Sequence, residues 1–151
     1  MDTHPVTVSL AIKAEPKEIW AALTDGAVSP AYYYGFSIDS SFDEGAPYTY
    51  TAGGAPMITG TVTDVVPAES MTMTFHGVWD PGVAALPETI VRYDLAAPAM
   101  PLPGVTVLTM THMGMPAGDT AQNVANGWVL ILSGLKTLLE TGEPLATPPG
   151  A

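Results

Sequence analysis

Few side chains in this 151-residue chain are equipped for chemistry, and they sit on separate segments. His112 is the most suggestive, because it lies at the end of the apolar and β-branched run that begins at Val105 and stops at Gly114. A neutral imidazole there can exchange one hydrogen bond with a bound molecule, or take a proton as a general base. Alternation along a strand puts Leu108, Met110 and His112 on one face and Val107, Thr109 and Thr111 on the other. If a helix covers the leucine face, His112 points into or near the mouth of a cavity. The alternative is that it hydrogen-bonds loop backbone where the strand ends. No nucleophile or carboxylate lies at a motif distance from it.

The stretch from Thr89 to Leu95 has the same logic. Thr89, Val91, Tyr93 and Leu95 form the inward face, which makes Tyr93 a buried phenol in need of a partner and, with His112, a candidate for proton transfer. Arg92 falls outside, beside Glu88 and Asp94. With the opposite parity it would be the only guanidinium able to hold a carboxylate or phosphate. Met71, Met73 and Phe75 share a face, as do Tyr48 and Tyr50, and Met57 and Met110 lie on neighbouring segments. Methionine adapts to ligands of varied shape and fills cores equally well. The run Tyr32, Tyr33, Tyr34 reads either as an aromatic gate or as one core plug with two surface phenols. His76 alternates with the methionines and faces solvent; His4 lies near the start.

Other chemistries are not expected. The sequence has no cysteine, its three histidines lack HxH or HxxxH spacing, and its carboxylates are scattered, so neither a metal nor a cofactor is predicted. Phosphate loops and nucleophile elbows are absent. Only Lys13, Lys17, Arg92 and Lys136 oppose fifteen carboxylates, and the net charge of −11 argues against nucleic acid or an anionic membrane as partner. Hydrophobic residues make up 47% of the chain, too many for a disordered one. No apolar run approaches the roughly 20 residues of a membrane span, and no signal-like start is visible. The expected location is the cytoplasm.

The elements that must position these residues are legible as periods. Val6, Val8, Leu10 and Ile12 alternate against Thr7, Ser9, Ala11 and Lys13, which predicts a strand with one buried face. Pro16 suits a first helical turn, and Ile19, Trp20 and Leu23 give a short helix its apolar edge. A second helical turn and a loop fill Asp25 to Gly35. Strands follow over 36–40, 48–51, 57–66, 71–76, 89–95 and 105–111, with connections around Asp43 and Pro67 tight enough for antiparallel hairpins. The longer connections, 80–87 and 96–104, read as loops. A helix of about 22 residues begins near Asp119 and Thr120, its expected caps, and stops at Gly142. Val124, Trp128, Ile131, Leu135 and Leu138, broadened by Leu132 and Leu139, form a stripe made to lie on a sheet.

Several strings in this order carry a family resemblance: Ile19 to Thr24 on the first helix, Gly60 to Pro67 on the fourth strand, Thr111 to Gly114, Gly127-Trp128, and Leu135 to Glu140. The chain resembles the SRPBCC superfamily of START and birch-pollen-allergen-like proteins. More narrowly it is similar to the branch of the activator of Hsp-90 ATPase homologue. One departure is Tyr32 to Tyr34, where that branch usually carries tryptophan. The resemblance implies an α+β helix-grip fold: a curved seven-stranded antiparallel sheet around a long C-terminal helix, with two short helices between strands one and two. It covers one domain, residues 5–142, followed by a flexible tail, 143–151.

The implied function is binding of a small hydrophobic or aromatic ligand between sheet and helix. The expected lining is Tyr32, Tyr33, Tyr48, Tyr50, Met71, Met73, Phe75, Tyr93, Met110, His112, Trp128 and Leu135. A polyketide cyclase-like or hydrolase-like enzyme using the same cavity is the alternative, and a chaperone-activating partner role a third. The protein is expected to be a monomer or homodimer.

Overall fold

The computed structural model describes residues 5–146. Its strands are β1 (Val6–Ile12), β2 (Ser37–Asp39), β3 (Pro47–Ala52), β4 (Ala55–Val66), β5 (Ser70–Gly77), β6 (Thr89–Ala96) and β7 (Thr106–Met113). They form one antiparallel sheet in the order β1-β7-β6-β5-β4-β3-β2. Helix α1 (Pro16–Leu23) and a 3-10 turn (Ser29–Ala31) separate β1 from β2; a one-turn helix α2 (Pro81–Ala84) follows β5, and α3 (Asp119–Thr141) closes the fold. This is the expected helix-grip arrangement. His4 and the end of the tail, 147–151, lie outside the described residues.

The alternation read from the sequence is the alternation that folds. Along β6, Thr89, Val91, Tyr93 and Leu95 are buried while Arg92 and Asp94 face out and pair at 3.0 Å. Along β7, Thr106, Leu108, Met110 and His112 are buried. The sheet bends where its register slips, between Val62 and Asp64 in β4 and between Tyr50 and Thr51 in β3. Such bulges add curvature. Gly60 sits on this bend because a β-carbon there would strike the Thr74 carbonyl and the Tyr48 ring.

Helix α3 lies on the concave face with Trp128, Ile131, Leu132 and Leu135 buried against it. Gly134 lets the helix backbone approach Tyr32 closely, a β-carbon there falling 3.4 Å from the Tyr32 β-carbon. The C-terminal half is also tied to β1: Lys136 Nζ donates to the Ala11 carbonyl at 2.7 Å, and Glu140 accepts the Lys13 amide at 2.8 Å. Gly142 ends the helix at φ 79°.

Three local expectations need correction. The cap of α3 is Gly118 without a side-chain bond, and Asp119 and Thr120 are already helical; Asp119 complements the helix dipole from the first turn instead. The connection 80–87 is partly helical. Asp80 Oδ2 accepts the amides of Gly82 and Val83 at 2.8 and 3.3 Å and Pro81 occupies the first helical position, a pairing that nucleates α2. His76, expected in solvent, is half-buried because its Nε2–H donates to the Ala84 carbonyl of α2 at 3.0 Å.

Candidate functional site

At the N-terminal half of α3 the helix stands away from the sheet and leaves a cavity of about 680 Å³, within the size range of small-molecule sites. Its floor is Ile58 of β4 and Phe75 of β5. Trp79, Asp80 and Val83, at the start of α2, form one wall, and Tyr33, Tyr34 and Phe36 form the other. Thr120, Asn123, Val124, Gly127, Trp128 and Ile131 of α3 make the roof. It is partly open to solvent, and of its aromatic lining Trp79 and Tyr34 are the exposed members, at 40% and 39%.

The aromatic walls are held by one another. Tyr33 stacks on Tyr50 at 4.3 Å between ring centroids and meets Trp128 edge-on at 5.9 Å; Phe75 meets Trp79 edge-on at 6.3 Å. Trp79 folds back on Gly77, where any β-carbon would collide with its ring. Tyr34 leans over Gly127, whose β-carbon would lie 3.4 Å from the phenol oxygen. To reach that place Tyr34 adopts φ 52°, a left-handed conformation costing a non-glycine residue about 1 kcal/mol.

Directly behind the wall runs a closed hydrogen-bond relay. Trp128 Nε1–H, a donor only, lies 2.9 Å from His112 Nδ1, so that nitrogen must accept. The proton of His112 is then on Nε2, which donates to Thr89 Oγ1 at 2.7 Å, and Thr89 in turn donates to the Phe75 carbonyl at 3.2 Å. His112 is fully buried, and burial pushes its pKa down from 6.5 to about 4. It is neutral, with both nitrogens engaged. Burial pushes the phenols of Tyr32, Tyr33, Tyr48, Tyr50 and Tyr93 upward, so none is a phenolate base near neutral pH. The arrangement can enclose, stack on and orient a molecule.

Of the residues expected to line a cavity, Tyr33, Phe75 and Trp128 do so. Tyr32, Tyr48, Tyr50, Met71, Met73, Tyr93, Met110, His112 and Leu135 do not touch it and belong to the packed interior. Around Gly134 a β-carbon would meet the backbone and β-carbon of Tyr32, whereas around Gly127 it would meet only the side-chain end of Tyr34. Tyr32 and Tyr48 donate to the Ala22 and Thr74 carbonyls, so their hydroxyls are used internally. Tyr34, from the run read as an aromatic gate or as core plug and surface phenols, also lines it, whereas Trp79, Asp80 and the polar Thr120 and Asn123 were not anticipated. A tryptophan followed by an aspartate-proline turn was the available signal for the first wall. Among the described residues no three histidine or acidic side chains come together as metal ligands, and no helix is long and apolar enough to cross a membrane.

The family whose model matches the sequence is Activator of Hsp90 ATPase homolog 1-like protein, over residues 13–140. Among solved structures, CalU16 from Micromonospora echinospora is similar with a TM-score of 0.70 at 18% identity, covering 94% of this chain and 77% of that one. The Aha1 dimer from Colwellia psychrerythraea gives 0.72 at 20%, covering 92% and 98%. DynU16, a protein in the dynemicin biosynthetic locus, gives 0.72 at 24%, covering 93% of this chain and 48% of its own length. At these identities the likeness is one of fold. No curated protein matches the sequence.

Proposed function

This chain belongs to the Activator of Hsp90 ATPase homolog 1-like family, and from that premise we propose that it binds a small hydrophobic or aromatic molecule in the cavity under the N-terminal half of α3. The observation that carries this reading is a space of about 680 Å³ walled by six aromatic rings and open at one side. Filling it with side chains would stabilise the fold, since each buried methylene contributes about 0.8 kcal/mol. The sequence instead leaves the space unfilled beside Tyr34, which leans over Gly127, and an open cavity favours an occupant that comes and goes. Tyr34 and Trp79 stand at the opening as the gate, and Trp128 and Phe75 form the inner wall. Rings supply large contact area at low entropic cost, and Thr120 and Asn123 offer hydrogen bonds at the rim.

The test is a titration with the neutral fluorophore N-phenyl-1-naphthylamine, alongside native mass spectrometry of protein purified from cells. The wild type should bind one equivalent and enhance its emission. Gly127→Leu, which puts a side chain into the roof where only the flexible end of Tyr34 need give way, should retain the circular dichroism spectrum and lose binding at least tenfold. Equal binding by both proteins would remove the cavity from the account.

A further inference from the structure

The charge around this cavity is one-sided. Its rim holds one ionisable carboxylate, Asp80, and among the described residues none of the four basic side chains lines it. Arg92 is committed to Asp94 on the outer face of β6, and Lys136 to Glu140 at the far end of α3. Lys13 and Lys17 lie at the end of β1 and on α1. The partial positive charge of the α3 N-terminus is the opposing influence, and Asp119 in its first turn offsets it. The Asp80 carboxylate is exposed and uses Oδ2 for both of its backbone bonds.

The aromatic rings point the same way. An aromatic face carries negative electrostatic potential and attracts a cation within about 6 Å, most strongly at tryptophan. Trp79, Trp128, Tyr33, Tyr34, Phe36 and Phe75 all line the space together with the Asp80 carboxylate, so a guest is surrounded by aromatic rings and meets a single charged group, a negative one. A negative head group would enter a protein of net charge −11 and find no cation to receive it. We infer that the cavity selects cationic guests: an organic ammonium carrying an aromatic or compact alkyl body, with its positive nitrogen among the rings of Trp79 and Tyr34 and facing Asp80. This rests on the cavity being a binding site, and assigns the charge class of what it binds.

Three isosteric probes separate the two claims: phenyltrimethylammonium, its uncharged carbon analogue tert-butylbenzene, and benzenesulfonate. Calorimetric titration of the wild type at low salt should give the cation roughly three- to tenfold tighter binding than the neutral analogue, with the sulfonate weakest. Asp80→Asn keeps a good helix cap, so α2 should persist, as a circular dichroism melt would report. It should bring the cation to within about twofold of tert-butylbenzene, whose own affinity stays put. Glu143→Gln removes one charge far from the cavity and should change neither. Tert-butylbenzene binding as well as or better than the cation overturns the selectivity and leaves the cavity reading standing. So does an equal loss in Asp80→Asn and Glu143→Gln, which would trace the preference to the net charge. No binding of any probe overturns both.

Discussion

Trp128 Nε1 lies 2.9 Å from His112 Nδ1, and this one bond joins α3 to β7 while fixing the tautomer of the only fully buried imidazole among the described residues. Because indole nitrogen can only donate, protonating Nδ1 would set two donors against each other. The relay therefore opposes the charged imidazole in addition to burial, and His112 serves as a strut behind the aromatic wall.

A pH dependence of stability follows. His112 titrates at about 4 when folded and near 6.5 when unfolded, so between these values the unfolded chain binds the extra proton. Its contribution is complete above pH 6.5 and is lost as pH falls toward 4. Urea unfolding at pH 7.5 and 4.5 should show the wild type losing about 2–3 kcal/mol more than His112→Gln between those two conditions. Parallel losses in both proteins would mean that His112 is not held neutral.

Breaking the relay at its donor should be expensive. Trp128→Phe strands the Nδ1 acceptor in the interior and shrinks a buried ring, together costing about 2–4 kcal/mol. In a chain of this size that lowers the melting temperature by about 5–15 °C, readable by calorimetry. A change under 2 °C would show that water replaces the indole.

The bend in the sheet makes its own demand. Gly60→Ala puts a methyl group into the Thr74 carbonyl and the Tyr48 ring, neither of which can retreat without breaking the 2.6 Å bond from Tyr48 to that same carbonyl. The expected loss is about 2–4 kcal/mol by denaturant titration. A neutral Gly60→Ala would mean that the β4 bend relaxes freely.

Much of this was visible in the residues. Strict alternation from Val6 to Lys13 and from Thr89 to Leu95 specified both the strands and their buried faces, and the leucine stripe of α3 specified what the helix covers. Helix α2 was hidden because Asp80-Pro81-Gly82 is good turn chemistry as well as a cap and a first helical position. The cavity was displaced for a different reason. Sequence periodicity tells which face of a helix is covered but not how closely, and the distance from sheet to α3 is set by what packs at Gly134 and Gly127. Trp79 escaped notice because it lies on a connection, where neither period applies, and its place depends on the small footprint of Gly77.

The indole N–H resonances test the central claim most directly. The chain has three tryptophans, of which Trp79 and Trp128 line the cavity and Trp20 lies on α1 away from it. In a proton–nitrogen correlation spectrum titrated with N-phenyl-1-naphthylamine, the Trp79 and Trp128 indole signals should move together along one saturable curve while Trp20 stays fixed. Movement of Trp20 alone, or no movement of either cavity indole at a concentration where the fluorophore binds, would contradict the account.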